Sequence, residues 1–109
     1  MNILNIILIS FFLILSISCT RNLTNKDVQL IENYFSDEEK RISRLTSVNE
    51  LLRAQVGFNQ NTLVLFYKTI NMDLAEAERE KVFMIFKTQQ SNVNHMITSK
   101  IDSELTMMR

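Results

Sequence analysis

Cys19 is the only cysteine in this chain of 109 residues and His95 its only histidine, so thiol and imidazole chemistry each rest on one side chain. Cys19 stands where an uncharged apolar run, Ile3 to Ile17, closes through Leu15-Ser16-Ile17-Ser18 and gives way to Thr20-Arg21-Asn22. A leader ending in small residues and a cysteine is how a bacterial lipoprotein begins, and the chemistry this pattern serves is acylation of the thiol. The expectation is a signal peptide over residues 1–18 and lipid attachment at Cys19, the first residue of a mature chain 19–109. A lone cysteine forms no disulfide within the chain, and once acylated it leaves no thiol for redox or metal work. His95 lies between Asn92-Val93-Asn94 and Met96 in a polar helical stretch, which reads as a surface residue.

Other reaction chemistries lack their residues. HExxH, CxxC and DxDxDG ligand patterns are missing from the sequence, and nucleophile elbows and phosphate-cradling loops need glycines where the chain has a single one. The carboxylates of Glu76-Ala77-Glu78-Arg79-Glu80-Lys81 recur at helical spacing beside basic partners, so a solvated helix face explains them better than a general acid and base in a pocket. No catalytic, cofactor-binding or metal-ligating residue is assigned, no cofactor is expected, and the chain reads as a protein without enzymatic activity.

The length of the leader separates its alternatives. The run Ile3–Ile17 is broken only by Asn5, Ser10 and Ser16, and it falls short of the roughly 20 residues that span a bilayer comfortably. Cleavage is favoured over an uncleaved anchor, and both over a helix of a soluble core. Two features depart from a regular leader: residues 1–5 carry no Lys or Arg, and Ser16 occupies a position where lipoprotein leaders usually place Leu. Arg21 and Lys26 follow the run and would favour a cytoplasmic C-terminal side if it stayed uncleaved.

All 12 basic and all 12 acidic residues lie beyond the leader, so the mature chain is formally neutral. Neutrality argues against nucleic acid, which demands a basic excess or patch. The nearest basic cluster, Lys40-Arg41-Arg44, follows Asp37-Glu38-Glu39 at the three- and four-residue spacings that pair on a helix.

One glycine, no proline and no Asn-Gly or Asp-Gly dipeptide leave a β fold without its turns. The expected fold is all-α: the signal helix, then a long antiparallel hairpin or three-helix arrangement in a single domain, with helices at about 26–56, 60–71 and 74–107. In the first, Ile31, Phe35, Ile42, Leu45, Leu52 and Val56 recur at helical spacings, with Val48 and Leu51 widening the stripe. Thr24-Asn25-Lys26-Asp27 offers an N-cap, and Ser36-Asp37-Glu38-Glu39 and Ser47-Val48-Asn49-Glu50 both match a capping box, so a helix can restart at either serine. Gly57 is expected as the C-cap of the first helix. The second should bury Leu63, Phe66, Tyr67 and Ile70. Asp73-Leu74-Ala75-Glu76 opens the third, which carries Leu74, Val82, Ile85, Phe86, Val93, Ile97, Ile101, Leu105 and Met108 along one side. Helix three should lie back along helix one with the aromatics gathered near the turns, and the polar Gln89-Gln90-Ser91-Asn92 and Asn94-His95 should weaken the stripe beyond Ser91.

The leader MNILNIILISFFLILSISC, followed by an Ile-, Asn- and Lys-rich, proline-free helical body, resembles the small lipoproteins of Borrelia spirochaetes. Within them, the stretch TNKDVQLIENYFSDEEKRISRLTSVNELLRAQVGFNQNTLVLFYKTI resembles the haemolysin accessory protein (BlyB) family of prophage type. The resemblance implies a palmitate-type lipid on Cys19, placement on the extracytoplasmic side of a membrane, and support of a small helical membrane protein of haemolysin or holin type in lysis. Expected partners are the lipid bilayer through acylated Cys19 and a helical membrane protein; because apolar stripes serve intramolecular hairpins and intermolecular bundles alike, a homodimer stands beside the monomer as an alternative. Two other readings stay open: a surface-displayed helical lipoprotein that binds a host protein, and a spanin-like lysis lipoprotein.

Overall fold

The computed structural model describes residue 3 and residues 21–108, so the leader and Cys19 lie outside the described residues. The described chain is all-α, with three helices in sequence: α1, Asn25–Ser43; α2, Val48–Ile70; and α3, Glu76–Met107. Thr24 is the expected N-cap of α1, and it forms a full capping box with Asp27: Asp27 N donates to Thr24 Oγ1, and Thr24 N to Asp27 Oδ2, both at 3.1 Å. Ser47 caps α2, accepting from Glu50 N at 3.5 Å.

The first helix is therefore broken at residues 44–47 and does not run to Val56. Ile42 and Leu51 are both fully buried, yet nine residues at about 100° per residue would set them on opposite sides of a continuous helix. Breaking the helix lets both face one core. Ser36 lies inside α1 for the converse reason: Ile31, Phe35 and Ile42 are all buried at spacings of four and seven, which an unbroken helix satisfies.

Gly57 likewise lies inside α2 and caps nothing, with no positive φ. The buried Ala54, Phe58 and Thr62 step across it in fours, so the helix must run through. A methyl group at Gly57 would meet no atom within 4 Å. Because glycine inside a helix costs about 0.5–1 kcal/mol relative to alanine, Gly57→Ala is expected to raise stability by that amount. A urea titration followed by circular dichroism reads it as a higher midpoint at unchanged slope.

The restart at Val48 also rephases the buried face of α2. Leu51, Ala54, Phe58, Thr62 and Thr69 point inward, while Leu52 and Val56 are exposed, and so are Leu63 (53%) and Tyr67 (55%), both expected in the core. Phe66 and Ile70 are half-buried against it. The two inward threonines bond within their own helix: Thr62 Oγ1 donates to Phe58 O (2.7 Å) and Thr69 Oγ1 to Leu65 O (2.8 Å). Since the Thr62 proton is so used, the Tyr34 hydroxyl donates to Thr62 Oγ1 at 3.0 Å. Burial pushes the Tyr34 phenol above its ordinary 10.0.

The topology is up-down-up. Leu23, just ahead of α1, donates its N–H to Glu78 near the start of α3, and Lys100 Nζ in α3 donates to Ser43 O at the end of α1. α1 and α3 thus run parallel, with α2 antiparallel to both: the three-helix alternative, and not a helix three folded back against helix one. The buried rings Phe35, Phe58 and Phe86 are central, away from the turns, while Phe66, Tyr67 and Phe83 do gather toward the α2–α3 turn. Phe35 meets Phe58 (ring centroids 6.0 Å) and Phe86 (5.5 Å), and Phe86 meets Phe66 (5.3 Å). Ile42, Leu51, Val93 and Ile97 close the core toward the α1–α2 loop, and Leu74 closes it at the α2–α3 turn.

Beyond Ser91 the core continues through Val93 and Ile97, both buried. The polar residues expected to weaken this stretch bond across to α2. Asn59 Nδ2 donates to Asn94 Oδ1 (3.1 Å), and Asn59 Oδ1 accepts from Asn94 Nδ2 and Gln90 Nε2 (both 2.9 Å). Such a reciprocal amide pair fixes which turn of α2 faces which turn of α3. The stripe ends past Ile101, where Leu105 and Met108 are exposed.

Candidate functional site

The chain immediately after Thr20 is held by the turn between α2 and α3. Arg21 N donates to Asp73 O at 2.6 Å and Ala75 N donates to Arg21 O at 3.3 Å, pairing Arg21 with Leu74 as a single parallel β-bridge. The Arg21 guanidinium stands 3.6 Å from Asp27 Oδ1 and 2.9 Å from Met72 Sδ. Two residues on, Leu23 N donates to Glu78 Oε2 at 2.9 Å, and Lys81 Nζ donates to the other Glu78 oxygen at 3.0 Å. Leu74 sits beneath this clasp, fully buried. The turn thus explains why α3 begins at Glu76 and not at Leu74: Leu74 plugs the end of the core, and Ala75 is an N-cap with no side-chain bond.

The clasp contains two carboxyls of depressed pKa. The hydrogen bond from Lys81, then that from the Leu23 N–H, holds Glu78 below its ordinary 4.5. The Thr24 backbone and side-chain hydrogen bonds, assisted by Arg21, hold Asp27 below its ordinary 3.8. A carboxyl with a lowered folded-state pKa adds stability above its unfolded value and loses that addition as pH falls through the folded one. The clasp should therefore loosen below about pH 4.5, and Glu78→Gln should lower the urea midpoint at neutral pH while changing it less at pH 3. Equal losses at both pH values would show that Glu78 acts through packing and not through its charge.

Around the clasp, apolar side chains remain in water. Leu30 and Met72 flank the groove between α1 and α2 together with Tyr34 and Leu65. Phe83 borders the groove between α2 and α3 with Phe66 and Ile70, and Met84 the groove between α1 and α3. A second exposed line, Leu52, Val56 and Leu63 with Val64 to one side, runs along the outward side of α2.

The other residues considered for chemistry are dispersed. His95 is exposed on α3, and among the described residues no group of three His, Cys, Asp or Glu side chains could hold a metal ion. The charge clusters pair locally, Arg41 with Glu38 at 2.6 Å and Lys81 with Glu78 at 3.0 Å, each three residues apart. No helix among the described residues is long and apolar enough to cross a membrane. Arg21 entered the sequence reading only as a charge beside the leader; its pairing with Leu74, 53 residues away, leaves no local pattern.

No protein-family model, curated protein or solved structure matches this chain. The class defined by its fold is an all-α, up-down-up three-helix bundle whose N-terminal entry is clasped to one end.

Proposed function

We propose that this protein is a lipoprotein without enzymatic activity, held on the extracytoplasmic side of a membrane through acylated Cys19. There its bundle supports a small membrane-active protein of haemolysin or holin type during lysis. The observation that carries the reading is the unfilled face of α2: Leu52, Val56, Leu63 and Val64 stay exposed although α1 and α3 already cover the opposite face. Leu52, Val56 and Leu63 form an apolar line along one helix, which Val64 widens to one side, the shape a partner helix seats against. Completing the burial of half-exposed aliphatic side chains yields on the order of 1 kcal/mol each, so this line can hold a helix in the two-dimensional confinement of a membrane. The helical body, the leader and the resemblance to haemolysin accessory lipoproteins support the same reading.

Coexpression with a small holin-type membrane protein tests it. The full chain is expected to lengthen that protein's lifetime or shift the onset of lysis, and a Val56→Glu/Leu63→Glu variant, changed only at exposed positions, should lose the effect while keeping its helical circular dichroism. If lifetime, location and lysis are the same with and without the chain, the accessory role is wrong. If protease added to intact cells removes the bundle, display toward a host protein takes its place.

A further inference from the structure

We propose that the clasped end of the bundle rests on the bilayer surface, with Leu30, Tyr67, Met72, Phe83 and Met84 in contact with lipid. This rests on the membrane anchor of the preceding section and adds an orientation and a lipid-binding surface to it. Arg21 is fixed by backbone hydrogen bonds to Asp73 and Ala75, so the chain enters the bundle at one place only, beside the α2–α3 turn. Cys19 lies two residues upstream, and two extended residues span at most about 7 Å. A lipid on Cys19 therefore keeps this end at the membrane. The apolar run ends at Ile17, four residues before Arg21, so a retained leader would set a limit of only about 14 Å.

The surface at this end suits the contact. Each interhelical groove contributes exposed apolar side chains here: Leu30 and Met72 between α1 and α2, Tyr67 and Phe83 beside Phe66 between α2 and α3, and Met84 between α3 and α1. At 1.5 Å per residue, Leu30 is roughly 8 Å along α1 from its start, Tyr67 roughly 5 Å from the end of α2, and Phe83 and Met84 roughly 10–12 Å along α3. Interfacial proteins bury their apolar faces about 5–10 Å into the headgroup and acyl boundary, which takes in Leu30, Tyr67 and Met72 and reaches the edge of Phe83 and Met84. Lys26, Lys68 and Lys81 are exposed at this end, as are Asp73 and Glu76. Both signs of charge hold it at headgroup depth, where the stems of Lys26 and Lys68 can lie along apolar surface with their ammonium groups in water, while Lys81 stays paired with Glu78. Farther along, the exposed side of α1 is polar (Glu32, Asn33, Ser36, Asp37), and so is that of α3 (Lys87, Thr88, Asn92, His95).

The opposite end also exposes Leu105 and Met107, but at roughly 45 Å along α3 it meets the same bilayer only if the bundle lies flat. That difference defines the test. The chain has no tryptophan, so Tyr67→Trp and Leu105→Trp each introduce a single tryptophan, excited selectively beside the tyrosines, at an exposed site. The full-length lipidated protein is reconstituted into phosphatidylcholine/phosphatidylglycerol vesicles with brominated acyl chains. Both variants should float with the vesicles, with Tyr67→Trp blue-shifted and quenched several-fold more than Leu105→Trp. Flotation with weak quenching at both positions overturns the proposal and leaves the anchor standing. Equal, strong quenching overturns the end-on orientation, and a blue-shifted but unquenched Tyr67→Trp means that protein, and not lipid, covers the ring. Failure to float removes the anchor, and the lipid contact falls with it.

Discussion

Phe58→Ala is expected to cost about 3–5 kcal/mol of folding stability, the usual penalty for deleting a fully buried phenyl ring. Phe58 is 0% exposed and ties α2 to α1 directly and to α3 through Phe35: its ring centroid is 6.4 Å from that of Tyr34 and 6.0 Å from that of Phe35 in α1, and Phe35 continues to Phe86 in α3. Removing it empties the middle of the core, where the rigid neighbouring helices leave little room to collapse, and it also forfeits edge-to-face pairing. Only eleven apolar side chains are buried among the described residues, and domains of this size have about 5–15 kcal/mol in total. A large share of the native stability should thus be lost, to the point that the variant melts near or below physiological temperature. Phe83→Ala is the matched control: the same atoms are deleted from a ring that is 51% exposed, and the loss should stay below about 1 kcal/mol. Urea titrations of both variants check the contrast. Equal losses would mean that Phe83 is covered by a second copy or a partner.

The difference between those two rings marks how far the fold could be read from sequence. That the body is helical followed from the missing prolines and turn dipeptides, and Ile31, Phe35 and Ile42 followed from their spacing. Where the first helix breaks did not, because Ser36 and Ser47 present the same local capping chemistry. The choice between them is made by the 180° phase conflict between Ile42 and Leu51, a tertiary requirement visible only once both are known to share a core. Gly57 was misleading for a related reason: glycine permits a left-handed cap without demanding one, and the packing of Ala54, Phe58 and Thr62 needs the helix to continue. Thr62 and Thr69 could occupy core positions because each returns its hydroxyl to a carbonyl four residues back, a role that a polarity pattern assigns to solvent. Leu63 and Tyr67, read inward on hydrophobicity alone, were displaced to the surface by that register.

For the candidate site the division is sharper. Cys19 and its leader form a contiguous pattern and were legible as such, whereas the clasp joins Arg21 to residues 73–75 and Leu23 to Glu78 across more than fifty residues. Its hydrogen bonds to Arg21 use backbone groups, which carry no side-chain signature. The polar run Gln89 to Asn94 shows the same blindness from another direction. Asparagines that read as dilution of an apolar stripe form an interhelical amide pair, because Asn59 happens to lie opposite Asn94.

Cys19→Ala is expected to have an all-or-none effect. Cys19 carries the only thiol in the chain, so incorporation of labelled palmitate should fall to background. Lipoprotein processing acts on the lipid-modified cysteine, so the leader should also stay attached, and the mature species should be replaced by one heavier by residues 1–18 and lighter by its acyl groups. Simple fractionation would miss this change: the retained run Ile3–Ile17 is itself apolar enough to hold the protein at the bilayer. The informative quantity is the intact mass of the N-terminal peptide, with and without the substitution. A leader that is never cleaved would instead give an unlabelled, Met1-initiated chain in both forms. Exchanging residues 1–18 for a cleavable secretory leader in the Cys19→Ala background then separates lipid from protein contributions. One acyl chain gives only marginal, reversible binding and two or three give stable attachment, so removing them all while the leader is cleaved should lower the membrane-bound fraction by at least about tenfold. The ring around the clasp cannot compensate, because a few half-buried side chains at headgroup depth contribute far less than an acyl chain of about 0.8 kcal/mol per methylene. Bundle surface would thereby set the orientation at the membrane, and the lipid on Cys19 the residence there.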